Sequence, residues 1–128
     1  MDRVCHDSGG PWEAVFGYCR AVRHGNRVYV AGTTSTGADG VVVGVGDAAR
    51  QASVILANIE RALAAVGASL GDVVRTRMFL VNRADAESVG RVHGDVFGEI
   101  RPAATMVIVA GLIHPEHLVE IEVDAEIG

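Results

Sequence analysis

Apolar and polar positions along this chain repeat with two periods, and the period changes mark the elements. Residues 118–126 alternate strictly: Val119, Ile121, Val123 and Ala125 point one way, and Glu120, Glu122, Asp124 and Glu126 the other. That is the signature of a half-buried strand. Residues 73–81 read as a second strand, with Arg75 and Arg77 sharing a face with Val73 and Phe79. Residues 18–23 and 27–32 read as a hairpin turning at His24-Gly25-Asn26, with Tyr18, Arg20 and Val22 on one face. Val41-Val42-Val43 reads as a short edge strand after a polar, glycine-bearing loop over 33–40. Residues 105–110 are apolar on both faces, which predicts a central strand. Two segments instead follow the helical period. Asp47 is a good N-cap for a helix with Ala52, Leu56, Ile59, Leu63 and Val66 on one stripe and Gly67 at its end. Asp85 caps a second helix with Val89, Val92, Val96 and Phe97 as its stripe, stopped by Arg101-Pro102. The segment before Gly17 bears glycine and proline and is expected to be irregular.

The order β-β-(β)-α-β-α-β-β, with two helices on one face of a mixed sheet, is an α+β layer architecture. The uncovered sheet face then mixes charge with apolar groups on three strands. Phe79 and Tyr18 on that face favour a subunit interface, where arginines meet carboxylates, over a merely solvated surface.

Composition narrows the function classes. The chain of 128 residues fits one domain, 1–128, with 49% hydrophobic and 21% charged residues. Its formal net charge of −5 and the lack of a Lys/Arg run count against nucleic-acid binding. No apolar stretch is long enough to span a membrane, and the N-terminus lacks the apolar region of a signal peptide. A cytoplasmic protein is therefore expected. The two cysteines, Cys5 and Cys19, are accordingly read as free thiols, with Cys19 in the core. His114-Pro115-Glu116-His117 reads as a surface turn, because Pro115 breaks any helix that would align two metal-binding histidines. His93 reads as a core-edge histidine, and Trp12 as an anchor for the N-terminal segment. No phosphate-binding glycine motif is present.

Two blocks carry a family resemblance. GYCRAVRHGNRVYVAG, residues 17–32, is similar to a Tyr-Ser-Gln-Ala-Val segment followed by a Gly-Asn turn and a strand ending in Ser-Gly. PAAT, 102–105, followed by VEIEVDA, 119–125, is similar to a Pro-Ala-Arg-Ser block and a Glu-Ile-Glu strand. Over nearly its whole length the chain resembles the RidA (YjgF) family. The resemblance implies a chorismate-mutase-like fold, a homotrimer and small-metabolite pockets in clefts between subunits. It implies hydrolysis of enamines and imines such as 2-aminoacrylate to keto acids and ammonia, with no metal or organic cofactor. Some members are described as endoribonucleases or translation inhibitors, a role the acidic charge disfavours here.

Carried over residue by residue, the resemblance makes Glu120 the catalytic, water-positioning carboxylate and places Tyr18, Ala31, Gly32, Thr33, Thr105 and Met106 around the ligand. Ala104 stands where the family has the arginine that grips a substrate carboxylate, and Gly90 where some members have asparagine. Arg20 stands where glutamine is usual, on the face of Tyr18, so it is a candidate replacement: it either binds ligand or holds Glu120. The alternative function is a non-catalytic trimer that binds a metabolite.

Overall fold

The computed structural model describes residues 2–128. Six strands form one sheet in the order β1-β2-β3-β6-β4-β5. They are β1 (Arg3–His6), β2 (Ala21–His24), β3 (Arg27–Thr33), β4 (Val73–Leu80), β5 (Ala103–Ile108) and β6 (Val119–Glu126). Every pairing is antiparallel except β4–β5. That parallel pair requires a crossover, which α3 (Ala86–Phe97) provides. The other long helix, α2 (Ala48–Ala65), links β3 to β4, and a short helix α1 (Pro11–Phe16) precedes β2.

The core lies between the sheet and α2 with α3. Ala52, Ile55, Leu56, Ile59 and Leu63 of α2 are buried against Val28 and Val30 of β3, Met78 and Leu80 of β4, and Val119, Ile121 and Val123 of β6. Each fully buried Leu or Ile contributes about 1.5–3 kcal/mol by removal from water. Val89 and Phe97 extend the core from α3. The Asp47 side chain accepts from the Arg50 backbone N–H at 3.0 Å, as expected of an N-cap. At the other end of α2, Gly67 takes a left-handed φ of 85°, and Arg23 Nη1 donates to the Val66 carbonyl at 3.0 Å.

Five expectations need correction. The segment before Gly17 is ordered as β1 and α1: Pro11 opens the helix, and Glu13 receives the backbone N–H groups of Ser8 and Gly10. Cys5 and Cys19 are joined in a disulfide with Cα atoms 5.9 Å apart, because β1 pairs with β2 and brings Cys5 beside the approach to that strand. Val41–Val43 forms no strand, only an isolated bridge between Thr36 and Val42. β5 is an edge strand with mostly exposed residues, so its two apolar faces do not mark a central position. Finally, a register shift between Val73 and Arg75 turns Val73 into the core, away from the face of Arg75 and Arg77.

Candidate functional site

The uncovered sheet face carries the acidic residues of β6. Arg77 on β4 lies 3.5 Å from Glu122 and 3.3 Å from Asp124, so the expected meeting of arginine and carboxylates occurs within the chain, between neighbouring strands. Glu120, at the start of β6, stands apart. No Arg20 or Arg77 ion pair reaches it among the described residues, and its register partner on β4 is Phe79.

What seats Glu120 is a bulge in β3. Between Val30 and Thr33 the β3–β6 register slips by one residue, at Ala31-Gly32. A Cβ built on Gly32 would lie 2.5 Å from Glu120 Oε2, so only glycine lets the carboxylate rest against the backbone here. Burial raises the Glu120 carboxyl above the usual carboxylate range, Arg20 partly opposes this, and Glu122 reinforces it.

Arg20 closes this corner from the residue just before β2. Its backbone N–H donates to the His6 carbonyl at 2.9 Å, and its own carbonyl accepts from Ala31 at 3.0 Å. The side chain lies over the Tyr18 ring, 5.5 Å from Cζ to the centroid. Nη1 donates to the Gly32 carbonyl at 2.9 Å and to Thr33 Oγ1 at 3.2 Å, while Nε is buried without a partner. Thr33 Oγ1 in turn donates to the Ala31 carbonyl at 2.8 Å. The guanidinium thus points at the bulge rather than at bulk solvent. Tyr18 itself is not in a strand, since β2 begins at Ala21; backbone donation from Tyr18 to the Glu13 carbonyl at 2.9 Å places it instead.

One chain does not bring all the expected site residues together. Tyr18, Arg20, Ala31, Gly32, Thr33 and Glu120 converge at one end of the sheet. Ala104, Thr105 and Met106 lie on β5, in register with Thr76, Arg77 and Met78. From β6 to β5 is two strand spacings, roughly 10 Å. Ala104 and Met106 also follow Thr76 and Met78 to the helix side of the sheet, where Met106 Cε would be 3.9 Å from a Cβ on Gly90. Thr105 alone shares the open face with Arg77.

Other candidates resolve as structure. His93 is bonded to Thr76 Oγ1 at 2.8 Å and packs on Phe97, and burial lowers its pKa. His117 is buried, bonded to Thr36 Oγ1 at 3.2 Å, and its pKa is lowered by burial and by nearby His114 against the opposing charge of Glu116. No cluster able to hold a metal occurs among the described residues. Trp12 does not anchor the N-terminal segment: it is 55% exposed and stacks on Phe16, itself exposed. The buried residue of α1 is Glu13, whose carboxylate accepts from Ser8 N at 3.0 Å, from Gly10 N at 3.2 Å and from Ser8 Oγ. Burial alone would raise its carboxyl; the Ser8 bonds, the Arg20 charge and the Gly10 bond outweigh that and hold it below the usual range. The signal for Glu13 was legible as Pro11 at the first helical position with an acid two residues later.

Residues 11–127 match the family described as Endoribonuclease L-PSP. The chain belongs to the RidA (YjgF) family. Its relatives in that family include an uncharacterized protein of Streptomyces coelicolor, 41% identical over 94% of this chain and 90% of the relative. A 3-aminoacrylate deaminase, RutC, of Acinetobacter baylyi is 39% identical over 81% of this chain and 82% of its own length. Among solved structures, a Mycobacterium tuberculosis member of the YjgF/YER057c/UK114 family superposes with a TM-score of 0.90 at 45% identity, covering 98% of this chain and 100% of that one. The mixed sheet with its helices on one face is the fold of this RidA-type protein.

Proposed function

We propose that this RidA-type protein assembles as a cytoplasmic homotrimer and hydrolyses a small imine or enamine in a cleft between subunits. The observation that carries this reading is Glu120: a half-buried carboxylate, seated on Gly32, with its proton affinity raised by burial. Such a group is suited to take a proton from water and return it to the departing nitrogen. Water adds to the C=N carbon, the C–N bond of the resulting carbinolamine breaks, and a carbonyl compound and ammonia leave. The division of the site supports assembly with a neighbouring copy: a β5 edge from that copy would bring Ala104, Thr105 and Met106 to Tyr18, Gly32 and Glu120. The exposed apolar β5 supports the same arrangement. The 39% identity to a 3-aminoacrylate deaminase supports the reaction class.

Ala104 offers neither charge nor donor, so we infer that the substrate is not held by a bidentate carboxylate clamp. Enzymatically generated 2-aminoacrylate and 2-iminobutanoate are then poor substrates, and imines without a carboxylate are better ones. A coupled ammonia-release assay with both kinds of imine, on wild type and Glu120→Gln, tests this. Hydrolysis abolished by Glu120→Gln supports the reading. Binding of small metabolites by thermal shift with no hydrolysis of any imine makes the protein a metabolite-binding trimer, and a monomer mass by light scattering removes the shared cleft.

A further inference from the structure

The N-terminal arm, residues 2–20, has one feature that its place in the site does not require: a disulfide. The arm contributes no apolar residue to the core, whose first buried hydrophobic member is Ala21. β1 is an edge strand of four residues, three of them exposed, and pairs with β2 only. From His6 the chain turns through Ser8 to Gly10, folds around the buried Glu13 carboxylate, and returns at Cys19 to be tied to Cys5. Cys19 lies between Tyr18 and Arg20; Arg20 donates to the Gly32 carbonyl, and the Tyr18 ring lies under its guanidinium. The bridge therefore closes the arm at the point where it carries site residues.

We propose that Cys5 and Cys19 form a reversible dithiol–disulfide modification site whose state sets how firmly Tyr18 and Arg20 are held. Cys5 is exposed and Cys19 half-buried, so an incoming thiolate reaches the Cys5 sulfur first. Attack by a low-molecular-weight thiolate breaks the S–S bond, leaving a mixed disulfide on Cys5 and a thiolate on Cys19. A second thiolate attacks the small-molecule sulfur of that mixed disulfide and frees Cys5. In total, two small thiols are oxidised to their disulfide, the protein disulfide is reduced to two thiols, and the two protons pass to Cys5 and Cys19. A small-molecule disulfide drives the reverse. In a reducing compartment the open form is the resting state, and oxidation closes the arm. With the bridge open, β1 keeps only its ladder to β2, and the arm falls to the low-stability end of the fold.

The test uses the full chain in glutathione buffers running from oxidised to millimolar reduced. Thiol alkylation read by mass should pass from no reactive cysteine to two, within that range. Amide hydrogen exchange should quicken roughly tenfold or more in β1 and residues 18–21 on reduction, with α2 and β6 unchanged. Cys5→Ser should show the fast exchange in every buffer. A bridge that millimolar glutathione leaves intact, reduction with no change in exchange, or a Cys5→Ser protein whose arm still responds to the buffer overturns the proposal. The functional consequence rests on the site reading given above: closing the bridge should change KM for imine hydrolysis more than kcat. Exchange that shifts in a protein hydrolysing no imine leaves the redox site standing and removes the enzyme reading. Hydrolysis with redox-indifferent exchange does the opposite.

Discussion

Replacing Gln51 with leucine should destabilise the protein by roughly 2–4 kcal/mol, although Gln51 touches no candidate site residue. Gln51 is fully buried on α2. Its Nε2 donates to the Gly44 carbonyl at 3.1 Å and to the Glu116 carbonyl at 2.9 Å, and its Oε1 accepts from the Leu118 N–H at 2.8 Å. One amide thereby pins the loop after β3 to the segment that leads into β6 and Glu120. Leucine fills a similar volume, so a cavity contributes little. What is lost is the satisfaction of two backbone groups, the Glu116 carbonyl and the Leu118 N–H, at about 1–3 kcal/mol for each that stays dry, while the Gly44 carbonyl keeps the Asp47 N–H at 2.9 Å. Glu116 is exposed, so water can recover part of the loss at its carbonyl, which sets the estimate below the full sum. The assay is urea unfolding of both proteins at one protein concentration, since assembly would couple stability to concentration. As a control, Asn58→Ala removes one long bond of 3.4 Å to the Thr36 carbonyl and an exposed one from Arg61 Nη2, and should cost less than about 1 kcal/mol. A Gln51→Leu loss under about 0.5 kcal/mol would refute the reasoning, because water would then be replacing the bonds at Glu116 and Leu118.

Two further outcomes follow from the same geometry. Gly32→Ala should abolish imine hydrolysis as Glu120→Gln does, because the new Cβ would stand 2.5 Å from Oε2 and turn the carboxylate out; urea unfolding should move by less than about 1 kcal/mol, since Gly32 has no left-handed φ to lose. Stability should fall as pH drops below about 6.5, because His93 and His117 have folded pKa values below that ordinary value. The unfolded chain then takes up protons first, so this stability is present above 6.5 and lost as pH falls toward the folded values. Glu120 has the opposite sign: its raised pKa stabilises below the ordinary 4.5 and that contribution fades as pH rises. His93→Gln with His117→Gln should therefore flatten the fall in urea midpoint; an unchanged slope would assign it to other groups.

The parts of the fold that were legible are those whose burial follows a period. β6 alternates buried and half-buried as its sequence alternates, and α2 begins on Asp47 with the buried stripe its spacing predicts. Errors arose where one pattern has two physical causes. β5 is apolar on both faces, which serves a strand buried inside a sheet and equally an edge strand that another chain covers. Val73 left the expected face because a bulge, invisible to strict alternation, adds a residue to β4. The disulfide was missed because its warrant was compartment chemistry, while the deciding fact was proximity: β1 had to be recognised as a strand before Cys5 could be placed near Cys19. Gln51 reads in sequence as an ordinary helical glutamine, and only the meeting of two distant loops over α2 gives it work.

For the site itself, period two set Arg20 among the candidate residues on a strand that in fact begins at Ala21, and could not say what its guanidinium would touch. A side chain long enough to reach a ligand beside Tyr18 is also long enough to reach its own chain, and backbone carbonyls freed by a bulge compete for it. The β3 bulge frees the Gly32 carbonyl from the ladder, Arg20 Nη1 takes it together with Thr33 Oγ1, and the same bulge leaves the space that Glu120 fills. Arg20 and Glu120 are thus coupled through Gly32 without a direct ion pair. That arrangement favours a positioning role for Arg20 over a bidentate anchor, because one nitrogen of its fork is already committed to the fold and Nε is buried. This corner of the chain therefore offers a carboxylate with raised proton affinity beside a largely occupied cation, the balance on which the proposed proton transfer rests.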